Sequence, residues 1–276
     1  MSVANILDDG VVITPQWLFR MSTLQRLGDV TRLTMDIDGI ASASGSATAA
    51  LGVLVDDSVG ATLRDRRGTH AGLVTADLSV DFVTPTGWTG PELCAEGRVV
   101  AITGDGGVAV TEIRDADGVL VATATAWGNF VDGGVDRSGT VVRPVAAASG
   151  IPPAPLSPLE RIGGRLVGTD RLVVPSNPAL ANKLGVMHGG VQACAMDLVG
   201  NAAVSTPNAP MHTASLRINY FRPAPVDTDV VFTTEVVRAG RSIAVVRVTS
   251  TDGEGRVCAV GTVTCRRPSA PTTPAR

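Results

Sequence analysis

The chain has 276 residues, 44% of them apolar, with a net charge of −3 and a pI near 5.6. That length predicts one large domain or two of ordinary size, with enough apolar residues for a packed core. The acidic balance gives no basic footprint for nucleic acid, and no apolar run approaches the roughly 20 residues that span a bilayer.

Aromatic residues make up only 3%, so Val, Ala, Leu and Ile must fill the core. The opening segment MSVANILDDG carries acids where a signal peptide needs a basic region, which predicts a cytoplasmic protein. Cys94, Cys194, Cys258 and Cys265 form no C-x-x-C pair and read as buried free thiols.

In chain order, the pattern predicts a strand at about 29–38, a helix of small residues at about 46–63, and then three or four strands. Gly104-Asp-Gly-Gly107 reads as a hairpin turn, because no helix follows it to make a phosphate loop. Residues 141–158, rich in Pro, Ala and Ser, read as a linker. A second strand follows at about 165–174 and a second helix at about 188–204. Four β-branched-rich strands come next: MHTASLRINYF, DVVFTTEVV, SIAVVRVTST and RVCAVGTVTCR. The tail 268–276 reads as disordered.

The two sides of the linker resemble each other. Leu24-Gln-Arg-Leu-Gly28 matches Leu159-Glu-Arg-Ile-Gly163, and Asp57-Ser-Val-Gly-Ala61 matches Asp197-Leu-Val-Gly-Asn201. Asp77-Leu-Ser-Val-Asp-Phe-Val-Thr-Pro85 matches Ser215-Leu-Arg-Ile-Asn-Tyr-Phe-Arg-Pro223. The offsets are 159 − 24 = 135, 197 − 57 = 140 and 215 − 77 = 138, which predicts duplication of a whole domain. Each half is an α+β unit in which a meander of antiparallel strands follows one apolar helix. Such a sheet curls around its helix, the hotdog arrangement, in residues 1–140 and again in 159–267.

The segment richest in chemistry is Asn182-Lys-Leu-Gly-Val-Met-His-Gly-Gly190, followed by Val-Gln-Ala-Cys-Ala-Met-Asp197. Asn-x-x-Gly-x-x-His-Gly-Gly, with Asp nine residues after the His, resembles the acyl-CoA thioesterases of the 4-hydroxybenzoyl-CoA and phenylacetyl-CoA type. The motif covers residues 182–215. The resemblance implies catalytic roles for Asn182, His188, Gly189 and Asp197, and places a helper hydroxyl at Ser215. Gly190 and Gln192 are expected to contact substrate. It further implies hydrolysis of an acyl-CoA partner and self-association of the chain into dimers or larger assemblies. The sequence shows no His/Cys/acid ligand cluster, so neither metal nor other cofactor is expected.

Physical chemistry supports these roles independently. Gly189 and Gly190 open a helix, where N–H groups lack intrahelical acceptors and favour developing negative charge. A carboxylate such as Asp197 can attack a thioester or deprotonate water. His188 and Asp197 lie 197 − 188 = 9 residues apart, about 900° around the helix and roughly 13 Å along it. They face opposite ways, so each must work with the other half. One expected site joins Asn182, His188 and Gly189 to Asp57, although Asp56 beside it leaves open which acid is a mere surface residue. The other joins Asp197 and Ser215 to Ser44-Gly45-Ser46-Ala47-Thr48, with Thr48 matching His188 and Asp77 matching Ser215. Two rival readings remain: a hotdog hydratase or dehydratase acting on acyl thioesters, and a non-catalytic acyl-CoA-binding protein.

Overall fold

The computed structural model describes residues 13–22, 24–37, 40, 47–132 and 156–268. Residues 141–155 of the expected linker and 269–276 of the expected tail lie outside the described residues, as does Ser44-Gly45-Ser46. Leu156 pairs with Ile40 in a β-bridge, and Ser157 caps the short helix α3 (Pro158–Arg161) in a capping box with Glu160.

The first half contains α1 (Pro15–Leu18), β1 (Gln25–Leu27), β2 (Val30–Asp36), α2 (Ala47–Arg64), β3 (Gly72–Phe82), β4 (Glu92–Ile102), β5 (Gly106–Arg114) and β6 (Leu120–Val131). After α3, the second half repeats the plan. It runs through β7 (Arg165–Val167), β8 (Arg171–Val174), α4 (Gly189–Ala202), β9 (His212–Tyr220), β10 (Val230–Ala239), β11 (Ile243–Thr251) and β12 (Val257–Arg266). The Gly104 segment is the turn between β4 and β5, closed by the Thr103 N–H on the Gly106 carbonyl.

The twelve strands form one continuous sheet in the order β1-β2-β4-β5-β6-β3-β9-β12-β11-β10-β8-β7. The halves are joined in its middle, where β3 pairs antiparallel with β9 from Asp77↔Asn219 to Asp81↔Ser215. This is the tandem hotdog fold, with the duplicated halves side by side in one chain. Strand alternation sends one row of side chains toward the helices, as in β2, where Leu33 and Met35 are buried between half-buried neighbours. Among the described residues no helix is long and apolar enough to cross a membrane.

The two central helices are apolar almost all round because each is wrapped by strands and packed on the other. Glycine sets their approach. A Cβ on Gly190 would lie 2.6 Å from the Gly52 carbonyl oxygen and 2.6 Å from Val53 Cα. A Cβ on Gly52 would lie 2.9 Å from Ala193 Cβ. This close crossing brings the start of each helix to the middle of the other, which is what assembles the polar clusters described next.

Candidate functional site

A β-bulge is repeated in both halves and aims a threonine at each helix. In β9 the register shifts so that Thr213 and Ser215 face the consecutive residues Cys265 and Thr264. In β3 Thr75 and Asp77 likewise face Gly128 and Trp127. The extra residue, Ala214 or Ala76, turns the following side chains to the other face. Thr213 therefore points inward with Leu216 and Ile218, and its hydroxyl donates to Asp197 Oδ1. The corresponding Thr75 hydroxyl donates to Asp56 Oδ1 over 2.7 Å.

This geometry bears on two of the residues weighed in the sequence. Ser215, the expected helper, sits at the seam opposite Asp81 and Thr264, and Thr213 supplies the hydroxyl to Asp197 instead. Asp56 is no surface residue: it is 7% exposed and is the structural counterpart of Asp197. Each of these acids accepts a bulge threonine from its own half and reaches the first turn of the opposite helix.

The first cluster gathers around His188, the N-cap of α4. Asp56 Oδ2 lies 3.1 Å from His188 Nδ1, and Asp57 Oδ1 lies 3.4 Å from Nε2. Gln16, from α1, donates its amide to Asp57 Oδ1 over 2.9 Å. Burial opposes a charge on His188. The Asp57 hydrogen bond and the charges of Asp56 and Asp57 outweigh it, so the imidazole pKa rises. Burial likewise pushes the Asp57 carboxyl up, but the hydrogen bond and charge of His188, with Gln16, carry it below the usual carboxylate range. The Gly190 N–H donates to Asp56 Oδ2 over 2.8 Å and to His188 Nδ1 over 3.1 Å, so Nδ1 faces the helix start while Nε2 faces Asp57.

Gly189 lies against this cluster, and a Cβ there would be 2.9 Å from Asp56 Oδ2. As the first helical residue it has an N–H with no intrahelical acceptor. Asn182 shapes the approach to α4. Its N–H donates to the Val186 carbonyl, and its Oδ1 accepts from Leu184 N at 2.9 Å and Val186 N at 3.3 Å. That fixes the amide plane and leaves the Nδ2 group as a donor.

Gly190 and Gln192 stand differently from expectation. Gly190 spends its N–H on Asp56 and its Cα face on the Gly52–Val53 backbone, so it is the helix-crossing point. Gln192 is 3% exposed, and its Oε1 accepts from Ser250 of β11 at 3.4 Å, which turns it into its own half's core.

The second cluster is centred on Asp197, 1% exposed. Besides Thr213, its carboxylate accepts from Thr48 Oγ1 at 2.7 Å, across the halves. Burial raises its pKa to about 6 against the two hydroxyls, which pull it down. Gln16, Thr75 and Thr213 were not singled out in the sequence, and Asp56 was weighed there only against Asp57 as a possible surface residue. Gln16 precedes the repeat and left no signal. Thr75 and Thr213 obey the same 138-residue offset as the matched strands and could have been found by extending that match two residues upstream.

The Asp197 shift has a consequence for stability. A buried acid whose pKa rises from 3.8 to about 6 binds its proton more tightly in the folded state. Its contribution therefore favours folding at low pH, falls between roughly pH 4 and 6, and stays unfavourable by about 3 kcal/mol above that. Asp197→Asn removes the charge and keeps the shape. We expect this variant to melt several degrees above the parent at pH 8 and to gain almost nothing at pH 4. A lower melting temperature than the parent at pH 8 would contradict this reading.

Residues 184–259 match the family model described as the thioesterase superfamily. A Saccharolobus solfataricus protein named as an esterase is 34% identical over 96 residues, covering 33% of this chain and 62% of that protein. Acyl-coenzyme A thioesterase 13 of Mus musculus is 31% identical over 65 residues, covering 23% of this chain and 46% of that protein. The matches thus span less than two thirds of either relative's own length. Among solved structures, the acyl-CoA thioesterase II TesB2 of Mycobacterium marinum superimposes with a TM-score of 0.56 at 13% identity, covering 95% of this chain and 99% of that one. A thioesterase II structure from Thermobifida fusca gives 0.58 at 17% identity, covering 94% and 100%. Residues 184–259 are thus similar to the thioesterase superfamily, and the described residues share the two-hotdog fold of those structures.

Proposed function

We propose that the chain hydrolyses acyl-CoA thioesters to the free acid and CoA at the composite site made by Asn182, His188 and Gly189 of the second half with Asp57 of the first. The observation that carries this reading is the contact of His188 with Asp56 and Asp57 across the halves, beside the first N–H of α4. Gly189 N–H is the donor for the thioester oxygen as it becomes an oxyanion, where the helix end favours negative charge. Asn182 Nδ2 orients the same carbonyl or the attacking water. Asp57 is the reacting carboxylate, as nucleophile or as base toward water. Its side chain is 17% exposed against 7% for Asp56, so it is the acid that substrate can reach. Asp56 holds the Gly190 N–H and His188, and Gln16 steadies Asp57.

A second reading places the chemistry at Asp197. Its pKa of about 6 lies close to neutrality, where a general base is most effective. The matching first-half segment reads Ser44-Gly45-Ser46-Ala47-Thr48, with Thr48 where the second half has His188 and no Gly-Gly after it, so the intact His188-Gly189-Gly190 sequence favours the Asp57 site.

Release of free CoA thiol from a panel of short, long and aromatic acyl-CoAs tests the activity. Release from at least one class, undiminished by chelator, is expected. No release across the panel sinks it. Hydration of an unsaturated acyl-CoA without thiol release would install the hydratase reading, and binding without either reaction the acyl-CoA-binding reading. The same reading places the protein in the cytoplasm, with chains associating further into dimers or larger assemblies.

A further inference from the structure

Tyr220, the chain's one tyrosine, ends β9 beside the seam. Its hydroxyl donates to the Gly189 carbonyl over 2.9 Å. That carbonyl and the Gly190 N–H belong to one peptide unit, and the N–H donates to Asp56 over 2.8 Å. The Gly189–Gly190 peptide is thus held at both ends, by tyrosine on one side and Asp56 on the other. Donation to the carbonyl also strengthens the N–H as a donor, so the two bonds reinforce each other.

The duplication supplies an independent observation. The offset that relates Thr75 to Thr213 relates Phe82 to Tyr220, since 220 − 138 = 82. Phe82 is 3% exposed and offers no hydroxyl. The first half also has no His-Gly-Gly sequence, so only the half that carries this loop carries a tyrosine to hold it. Burial, aided by the charge of Asp56, raises the Tyr220 pKa and keeps the phenol neutral as a donor.

We propose that Tyr220 is a positioning residue: it fixes the Gly189–Gly190 peptide and, through it, Asp56 against His188, keeping the Gly189 N–H in place relative to Asp57. The activity arm of its test rests on the thioesterase reading above; a second arm does not. Tyr220→Phe removes one hydroxyl and keeps the ring. Its kcat on the best acyl-CoA is expected to fall about tenfold with KM held within about twofold. Hydrogen exchange of the Gly190 amide is expected to rise about tenfold, while that of Gly200, at the far end of α4, stays put. Tyr220→Met, which also lacks a hydroxyl, must reproduce both changes, so failure of one variant to fold leaves the other decisive. Parental kcat and parental Gly190 exchange in either folded variant overturn the proposal. If the parent chain releases no thiol at all, Gly190 exchange decides alone: faster exchange upholds the role of Tyr220 and unchanged exchange overturns it.

Discussion

Gly190→Ala is expected to lower the melting temperature by roughly 10 °C or leave the chain unfolded. The added methyl would sit 2.6 Å from the Gly52 oxygen, 2.6 Å from Val53 Cα and 3.0 Å from the Gly52 carbonyl carbon. All three are backbone atoms of a buried helix, so no side chain can swing away. The helices must separate, and their whole packed interface shifts with them. Overpacking costs ~1–3 kcal/mol, occasionally more, and rigid backbone on every side sets this position at or above the top of that range; a chain of this size loses a few degrees per kcal/mol. Gly60→Ala is the control. Its Cβ would meet only Leu73 Cδ2, at 4.0 Å, and alanine is the better helix former, so that variant should melt at or above the parent. A Gly190→Ala protein as stable as Gly60→Ala would show that the helices do not cross as described.

Gly189→Ala should instead damage activity more than stability. Its methyl would approach Asp56 Oδ2 at 2.9 Å, Oδ1 at 3.1 Å and Cγ at 3.2 Å. Asp56 is a side chain and can retreat, but it is held by Thr75, Gly190 and His188. Moving it releases the carboxylates from the imidazole and crowds the N–H meant for the oxyanion. Removing one such donor costs ~10²-fold in kcat, and the fold should pay about 1–3 kcal/mol for the extra methyl. Steady-state thiol release beside a thermal melt measures both. Near-parental kcat in the folded variant would remove Gly189 from the mechanism.

Much of the fold was legible because duplication leaves its mark in order and spacing. The three matched segments foretold two like halves, and β-branched runs between turn residues foretold β9 to β12 within a residue or two. The helix geometry was legible as well: nine residues of α4 set His188 and Asp197 on opposite faces, and the structure puts each against the first half. Two details of the site were hidden for physical reasons. Asp56 and Asp57 differ by about 100° on a helix, and which one meets Gly190 depends on the crossing that Gly52 and Gly190 permit. Simple alternation puts Thr213 and Ser215 on one face, whereas a bulge at Ala214 separates them, and one inserted residue leaves no compositional trace.

The central claim is that the reacting acid comes from the first half and works with the oxyanion loop of the second. Side-by-side thiol release by Asp57→Asn and Asp197→Asn, each confirmed folded and assayed on the same acyl-CoA, tests it most directly. Asp57→Asn should lose at least ~10²-fold in kcat, the cost of a missing base or nucleophile, while Asp197→Asn stays within about tenfold of the parent. The reverse order would move the chemistry to Asp197 and the first-half loop, and full turnover by both variants would contradict the composite site altogether.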